Sequence, residues 1–571
     1  MKKQAFGAVL APLFKLLEAC FDLMVPLVVA AIIDVGIKGG AGTPYIIKMS
    51  IVLVALAFIG FTMAVIAQYF AAKASVRFAT DVRSALFKKF QELSYSQIDK
   101  FGTSSMITRM TSDINQLQSG TNLALRLFLR APIIVFGSAI MAFSIDSKSA
   151  LIFVVAIPLL CIAVFGVMLL TMPLYKKAQM GTDKILKRTR ENLTGARVIR
   201  AFANEEKEIS EFDTDNNRLT SIQKIVGRIS AVMNPVTYLI VNAAIIALIY
   251  IGSKQVEGGI ILQGSVIALY NYMSQILIEL IKLANLIVSV SKAVACGNRI
   301  GDVLNGTSIV PDIAENDPTT PEASFNAFIS FKNVSVKYSK ESDESLSGVS
   351  FDVKHGETIG IIGGTGSGKT TLINLIPALY RASSGAVYIN NVNVNSIDKN
   401  TLLKKIGIVP QKAVLFKGSI RENIKWGNEN ATDEEIMNAI EIAQASDVVN
   451  EKGGLDFEIE QEARNLSGGQ KQRLTIARAL VKHPEILILD DSASALDFAT
   501  DAALRQAVKK LDTTVFIVSQ RASSVMFADK IIVLDDGKAV SIGTHDELIR
   551  TSEEYKEIYY SQYPEEMEAA I

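Results

Sequence analysis

Cysteine, histidine and tryptophan are scarce in this chain, with three, three and one in 571 residues. Cys20, Cys161 and Cys296 lie in or beside apolar stretches, and no two share a metal-ligand spacing. They read as small buried hydrophobes rather than as a disulfide framework or a metal centre. His355, His483 and His545 are scattered and read as loop or helix-cap residues with no metal-site pairing. An excess of either charge is also missing. The 58 basic and 58 acidic side chains cancel, which gives no reason to expect a nucleic-acid partner. There is no internal repeat and no low-complexity tract.

What the chain has in quantity is apolar surface. Hydrophobic residues make up 49% of it and are concentrated in the first 300 positions, so part of the chain is expected in lipid. Runs such as 51–67 and 150–172 are long enough, with their flanks, to cross a hydrocarbon layer of roughly 30 Å. Six spans are expected, near 8–35, 45–70, 125–146, 149–172, 230–252 and 262–288. The start, Met1-Lys2-Lys3 before an apolar run, resembles a signal peptide. Lys15, Glu18 and Asp22 interrupt that run, and it reads as an uncleaved first span. Two polar stretches separate spans 2 from 3 and 4 from 5. Val82, Leu86, Phe87 and Phe90 recur there with helical spacing, so these stretches read as helices continued into water. Residues 73–130 hold nine Lys or Arg and residues 176–228 hold twelve, whereas the opposite connections offer Lys38, Lys48, Lys148 and Lys254. The positive-inside bias therefore puts both long loops and both termini in the cytosol of a multi-pass membrane protein.

Near residue 310 the composition changes. Pro311, Pro318 and Pro321 mark a linker over 311–327. Short β-like runs (328–331, 358–362, 486–489, 515–518) then alternate with helical patterns, the signature of an α/β domain. The expected fold is thus multi-domain: an all-α six-helix transmembrane domain over 1–310, followed by an α/β P-loop nucleotide-binding domain over 328–571.

Gly363-Gly364-Thr365-Gly366-Ser367-Gly368-Lys369-Thr370 fits the phosphate-loop pattern, after one apolar strand and before an apolar helix that begins at Thr371. Its glycines let successive N–H groups face phosphate oxygens, and the helix start adds partial positive charge. Lys369 is placed to reach the β- and γ-phosphates of ATP, and Thr370 to hold Mg²⁺ together with Asp490, which ends a second apolar strand. Tyr338 is placed to stack on adenine. Gln411 is placed to sense the γ-phosphate through Mg²⁺ or the attacking water. Leu466-Ser467-Gly468-Gly469-Gln470 puts two glycines after Ser467, which permits close approach to a γ-phosphate at a helix N-terminus.

On these motifs the chain resembles, over essentially its whole length, a half-transporter of the ATP-binding-cassette exporter superfamily. The resemblance implies two nucleotide domains meeting head to tail, with each ATP held between one chain's phosphate loop and the other's Ser467-Gly468-Gly469-Gln470 equivalent. Closure would accompany an outward-facing membrane part, and hydrolysis would reset it. The plasma membrane as the chain's location is implied only by this family resemblance. The stretch 101–113 looks like the first coupling segment, 195–202 like part of the second loop, and Ser494 to Asp497 like the loop through which two sites communicate.

Two departures stand out. Position 491 is a glutamate in the family pattern and is Asp491 here; position 520 is a histidine and is Gln520 here. Asp491 keeps the charge but falls about 1 Å short, a displacement that can cost about 100-fold in rate. Gln520 can donate one amide hydrogen bond but cannot carry a proton. Together they resemble the degenerate half of a heterodimeric exporter: a slow own site, and an intact signature lent to a second half-transporter. Ile459-Glu-Gln-Glu-Ala463 also departs from the family's glycine-containing cross-talk loop.

Within the spans, Glu18 and Asp22 lie one turn apart, and Glu279 and Lys282 are spaced to pair. Such charges face a bundle interior or water. They read as interhelical bonding or as a site for cationic or amphipathic small molecules, drugs included. Asn242, Tyr250, Asn271, Tyr272 and Gln275 are further polar candidates. Peptide or lipid export, and an ATP-gated channel or regulatory subunit, are the alternatives.

Overall fold

The computed structural model describes residues 2–305, 327–338 and 343–566. The expected linker 311–327 lies outside these residues except for Ala327. The described chain divides into two compact units, one of residues 1–92 and 102–307, the other of 93–101 and 308–571.

Among the described residues, the first unit contains six helices long and apolar enough to cross a membrane: Gly7–Lys38, Gly42–Glu92, Thr103–Ile145, Ser147–Thr194, Glu205–Glu257 and Gln263–Leu304. The second, fourth and fifth run for 51, 48 and 53 residues. At a rise of about 1.5 Å per residue each is more than twice as long as lipid requires, so the polar stretches do continue the spans as helix. Leu86, in the first of these stretches, is fully buried, while its neighbour Phe87 is exposed. The outer ends are fixed by short polar ties. Asp146 caps the fourth helix by accepting from the Ser149 N–H at 2.8 Å. Asp34 accepts from the Gly264 N–H at 2.6 Å, and a Cβ at 264 would come within 2.3 Å of the Ala30 carbonyl oxygen. The core of the unit is built on Tyr272, Phe153, Leu160 and Leu248, all fully buried, and the Tyr272 hydroxyl donates to the Leu23 carbonyl.

The second unit is an α/β domain with two main sheets. The larger has the order Lys538–Gly543, Lys530–Asp535, Thr358–Gly363, Thr514–Val518, Ile486–Asp490, Ile406–Val409, and all pairs but the first are parallel. Its central strands are apolar runs buried along nearly their whole length, as parallel strands covered on both faces must be. The smaller sheet is antiparallel, in the order Leu346–Val353, Ile329–Val336, Ser384–Ile389, Val392–Asn393.

The stretch 101–113, expected to be a coupling segment, belongs with the membrane unit from Gly102 onward. There it forms the helix Thr103–Thr108 and the π turn Arg109–Asp113, and Arg299 clamps Asp113 with two hydrogen bonds. The segment that packs with the nucleotide unit is the preceding one, 93–101, which carries the short helix Tyr95–Phe101.

Candidate functional site

Two of the buried parallel strands, Ile486–Asp490 and Thr514–Val518, end with their last residues lining a cavity of about 380 Å³. It is lined by Tyr338, Thr365, Gly366, Gly368, Lys369, Thr370, Thr371, Gln411, Asp490, Asp491 and Gln520, with Ser345, Val518 and Ser519. Sequence reasoning did not single out Ser345. It lies seven residues beyond Tyr338 with no motif to mark it.

The phosphate loop leaves the strand Thr358–Gly363 and enters the helix Lys369–Leu375. Gly366 and Gly368 have φ of 87° and 95°, in the left-handed region open to glycine. A Cβ at Gly363 would lie 2.1 Å from the Leu534 carbonyl oxygen, so only glycine fits there. The Lys369 ammonium curls back onto its own loop, donating to the carbonyls of Gly363 at 2.9 Å and Gly364 at 2.6 Å, with Ser367 Oγ at 3.4 Å. Burial pulls this lysine below its ordinary pKa, against the attraction of Asp491 and Asp490. The loop thus folds around a cation at the point where phosphate charge is expected.

Thr370 Oγ1 donates to Asp490, 3.2 Å from Oδ2. Asp490 is 6% exposed, and burial raises its pKa although the Thr370 hydrogen bond opposes the rise. A hydroxyl, a buried carboxylate and the Gln411 amide oxygen are the hard oxygen donors that Mg²⁺ prefers, so these residues fit the ion.

Asp491 has φ of 48°, a left-handed backbone one residue past the strand, and its N–H bonds to the Val518 carbonyl at 2.9 Å. Gln411 Nε2 donates to Asp491 Oδ2 at 3.3 Å. The altered carboxylate is therefore held by the glutamine expected to position water. Gln520 lies on the same cavity. Its backbone carbonyl accepts from Gln562 Nε2 at 2.9 Å, and Gln562 Oε1 accepts from the Ala522 N–H. This brace from the helix Glu553–Gln562 comes from far along the chain, and no local sequence signal announces it.

Ser467, Gly468, Gly469 and Gln470 do not line the cavity. Ser467 caps the helix Gly468–Leu480 in a reciprocal box with Gln470, whose side chain reaches back to the Ser467 N–H. A Cβ at Gly469 would stand 3.0 Å from the Ala495 carbonyl oxygen, so the signature packs against the turn that follows Asp491. Upstream, Glu462 and Ala463 both take positive φ, 59° and 52°. In this loop, which departs from the family's glycine-containing pattern, two side-chain-bearing residues hold the left-handed backbone, at a cost of about 1 kcal/mol each.

In the membrane unit the charged residues of the first and sixth spans meet on one residue that sequence reasoning missed. Arg130 bonds Glu279 at 2.5 Å and Asp22 at 2.8 Å and lies 3.5 Å from Glu18. Lys15 closes on Glu18 and Lys282 on Glu279. The i,i+3 pairing is present, but it is one edge of a six-residue network across three spans. Arg130 lies within the expected third span, 125–146, and only tertiary packing shows its role.

Residues 8–280 match the model of the ABC transporter transmembrane region, and residues 346–494 match that of the ABC transporter. The chain is 37% identical over 569 residues to the uncharacterized ABC transporter ATP-binding protein YfiB of Bacillus subtilis, covering 99% of this chain and 98% of the relative. It is 30% identical to the putative multidrug export ATP-binding/permease protein YgaD of the same organism, over 98% and 97% of the two chains. To the ATP-dependent lipid A-core flippase of Syntrophus aciditrophicus it is 29% identical, over 86% and 81%. Among solved structures, a bacterial Atm1-family ABC exporter with ATP bound shares the fold, with a TM-score of 0.78, 22% identity and 98% of each chain covered.

Proposed function

The chain belongs to the ABC transporter family, as an exporter half-transporter with an ATP-binding domain whose hydrolysis drives transport, and from that premise we propose that it is the degenerate-site half of a heterodimer that exports amphipathic, drug-like small molecules. One observation carries the proposal: Asp491 and Gln520, the two altered positions, face the same cavity as the unaltered Lys369, Thr370 and Asp490. The binding parts of the site are kept, and the parts that activate water and sense the γ-phosphate are changed.

Each residue then has a role. The phosphate-loop N–H groups and Lys369 bind the β- and γ-phosphates, Thr370 and Asp490 hold Mg²⁺ with Gln411, and Tyr338 stacks on the base. Asp491, short by one methylene and engaged with Gln411, orients the attacking water poorly. Gln520 offers a neutral amide where a protonatable ring is the family pattern. Hydrolysis at this site is slow. The second, faster site is completed when Ser467 and Gly469 are lent across the dimer to a partner with its own catalytic glutamate. A homodimer would carry Asp491 and Gln520 at both sites and be a poor ATPase. The multidrug relative supports an amphipathic substrate.

The test is ATPase activity of the chain purified alone and with the half-transporter that copurifies from its own cells. Strong activity in the pair alone, abolished by changing the partner's catalytic glutamate, is the expected result. Strong activity from this chain alone would show that Asp491 and Gln520 suffice, and the heterodimer reading would fall.

A further inference from the structure

Tyr338, the residue placed to stack on adenine, is 42% exposed and is held from two sides by the segment that follows the phosphate loop. Its hydroxyl lies 2.8 Å from Thr371 Oγ1, on the phosphate-loop helix. Its ring meets Tyr380 edge-on, with centroids 5.2 Å apart and planes at 89°. Tyr380 stands just past that helix and also touches Tyr95, at 6.2 Å. The Tyr380 hydroxyl donates to Asp99 Oδ2 at 2.5 Å. Tyr95 and Asp99 both belong to the helix Tyr95–Phe101, the piece of chain between the second and third membrane spans that packs with the nucleotide unit.

An edge-on aromatic contact is directional: turning one ring changes what the other can stack against. Tyr380 has one face of its environment set by the adenine platform and its hydroxyl set by Asp99. From this we infer that Tyr380 is a positioning residue that links the adenine platform Tyr338 to the helix Tyr95–Phe101 through its hydrogen bond to Asp99, so that this helix responds to the nucleotide's base and not to its phosphates alone. Stacking of adenine on Tyr338 fixes the Tyr338 ring. The fixed ring holds the Tyr380 edge, and the held Tyr380 keeps its hydroxyl on Asp99. The direction also reverses: displacing Tyr95–Phe101 frees Tyr380 and loosens the platform, which weakens nucleotide binding through the base.

The inference rests on the ATP-site reading above, and the experiment separates the two. Hydrogen exchange is followed on the full-length chain in nanodiscs with Mg-ATP and with Mg-tripolyphosphate, which offers the phosphates without the base. Both ligands should slow exchange in the phosphate loop, 364–371. Only Mg-ATP should slow it in 95–101, by about three- to ten-fold, the range expected of one aromatic contact. Tyr380→Phe, which keeps the ring and removes the bond to Asp99, should abolish that slowing in 95–101 while leaving slowing in 364–371. Asp99→Asn, which keeps a hydrogen-bond acceptor, should retain part of it. Tyr380→Ala should weaken ATP and leave tripolyphosphate affinity unchanged, a split that general destabilisation does not produce. Equal effects of the two ligands on 95–101, or base-dependent slowing that survives in Tyr380→Phe, overturn the inference with the ATP site intact. No effect of either ligand on 364–371 overturns the ATP-site reading and this one with it.

Discussion

The nucleotide domain presents two catalytic faces, and they differ in how far their sequences depart from the family pattern. On the phosphate-loop face, Lys369, Thr370 and Asp490 are as the pattern has them while Asp491 and Gln520 are not, and all five line one cavity. On the signature face, Leu466 to Gln470 is unaltered and stands apart from that cavity, with Ser467 exposed at the start of a capped helix. In a head-to-tail pair these faces serve different ATP molecules. Loss of catalytic groups on the phosphate-loop face, with the signature itself unaltered, therefore reads as a division of labour rather than as general decay. The most direct way to break the comparison is to damage each face in turn. Ser467→Arg in the pair should lower turnover by roughly 100-fold or more, because it removes a phosphate-facing cap and fills the approach path. Asp491→Asn in the same pair should lower it by less than about five-fold, since a misplaced carboxylate contributes little. Steady-state ATPase of the two variants decides the matter. If Asp491→Asn is the more damaging, the faces have been assigned the wrong way round.

A variant that injures the protein away from both faces sharpens the contrast. Arg130→Met leaves Glu18, Asp22 and Glu279 without their shared cation. Removing one partner of a buried ion network costs about 3–5 kcal/mol, against little for a well-packed replacement of the whole set. The thermal midpoint of the full chain should drop clearly. Mg-ATP affinity, measured well below that midpoint, should stay within about two-fold, because additivity holds for remote sites. A large loss of affinity would show that the catalytic comparison cannot be read apart from the membrane unit.

These two experiments fall on opposite sides of what the sequence makes legible. The phosphate loop and Asp490 are recognisable because their chemistry dictates local spacing: glycines for a left-handed turn, a lysine at its end, a carboxylate closing an apolar strand. The six spans are legible because lipid demands length and apolarity. The helical nature of 73–130 and 176–228 follows from their periodicity. Arg130, Gln562 and Tyr380 are not legible. Each acts through a partner more than 40 residues away, Glu279, Gln520 and Asp99, and no local pattern encodes such a pairing. The coupling segment fell between these cases. Its motif is local, but which flank packs with the nucleotide unit depends on tertiary contacts, and that flank is 93–101.

The departures can also be reversed. Asp491→Glu with Gln520→His restores both altered positions of the phosphate-loop face. In the chain purified alone, turnover should rise by about ten-fold or more, since each group supplies general-base or charge-sensing chemistry of that order. Each single change should recover much less than the double, because groups that act as a unit are not additive. An unchanged rate in the double variant would place the defect elsewhere, and the strained loop at Glu462 and Ala463 would be the first region to examine.

The smallest expected effect concerns protons. Burial raises the Asp490 pKa in the absence of nucleotide. A carboxyl raised by folding favours the protonated form. Its contribution to the stability of the empty protein is therefore present below the unfolded value and is lost as pH rises through the folded one. Binding Mg²⁺ demands the carboxylate, so the ion must displace that proton wherever it is still bound. The thermal shift produced by Mg-ATP over ATP with chelator should therefore shrink as pH falls through the window just above the ordinary carboxylate range, while the shift from ATP with chelator stays flatter. Lys369 works in the opposite sense: burial lowers its pKa, so the cation that meets the phosphates is lost from the alkaline side. Between the two groups lies a plateau of full Mg-ATP stabilisation, bounded by Asp490 on the acid side and Lys369 on the basic side. Thermal-shift curves across pH locate both edges. If the acid edge is equally steep with chelator, the proton does not belong to the metal-holding carboxylate, and Asp490 would have to be replaced as the titrating group.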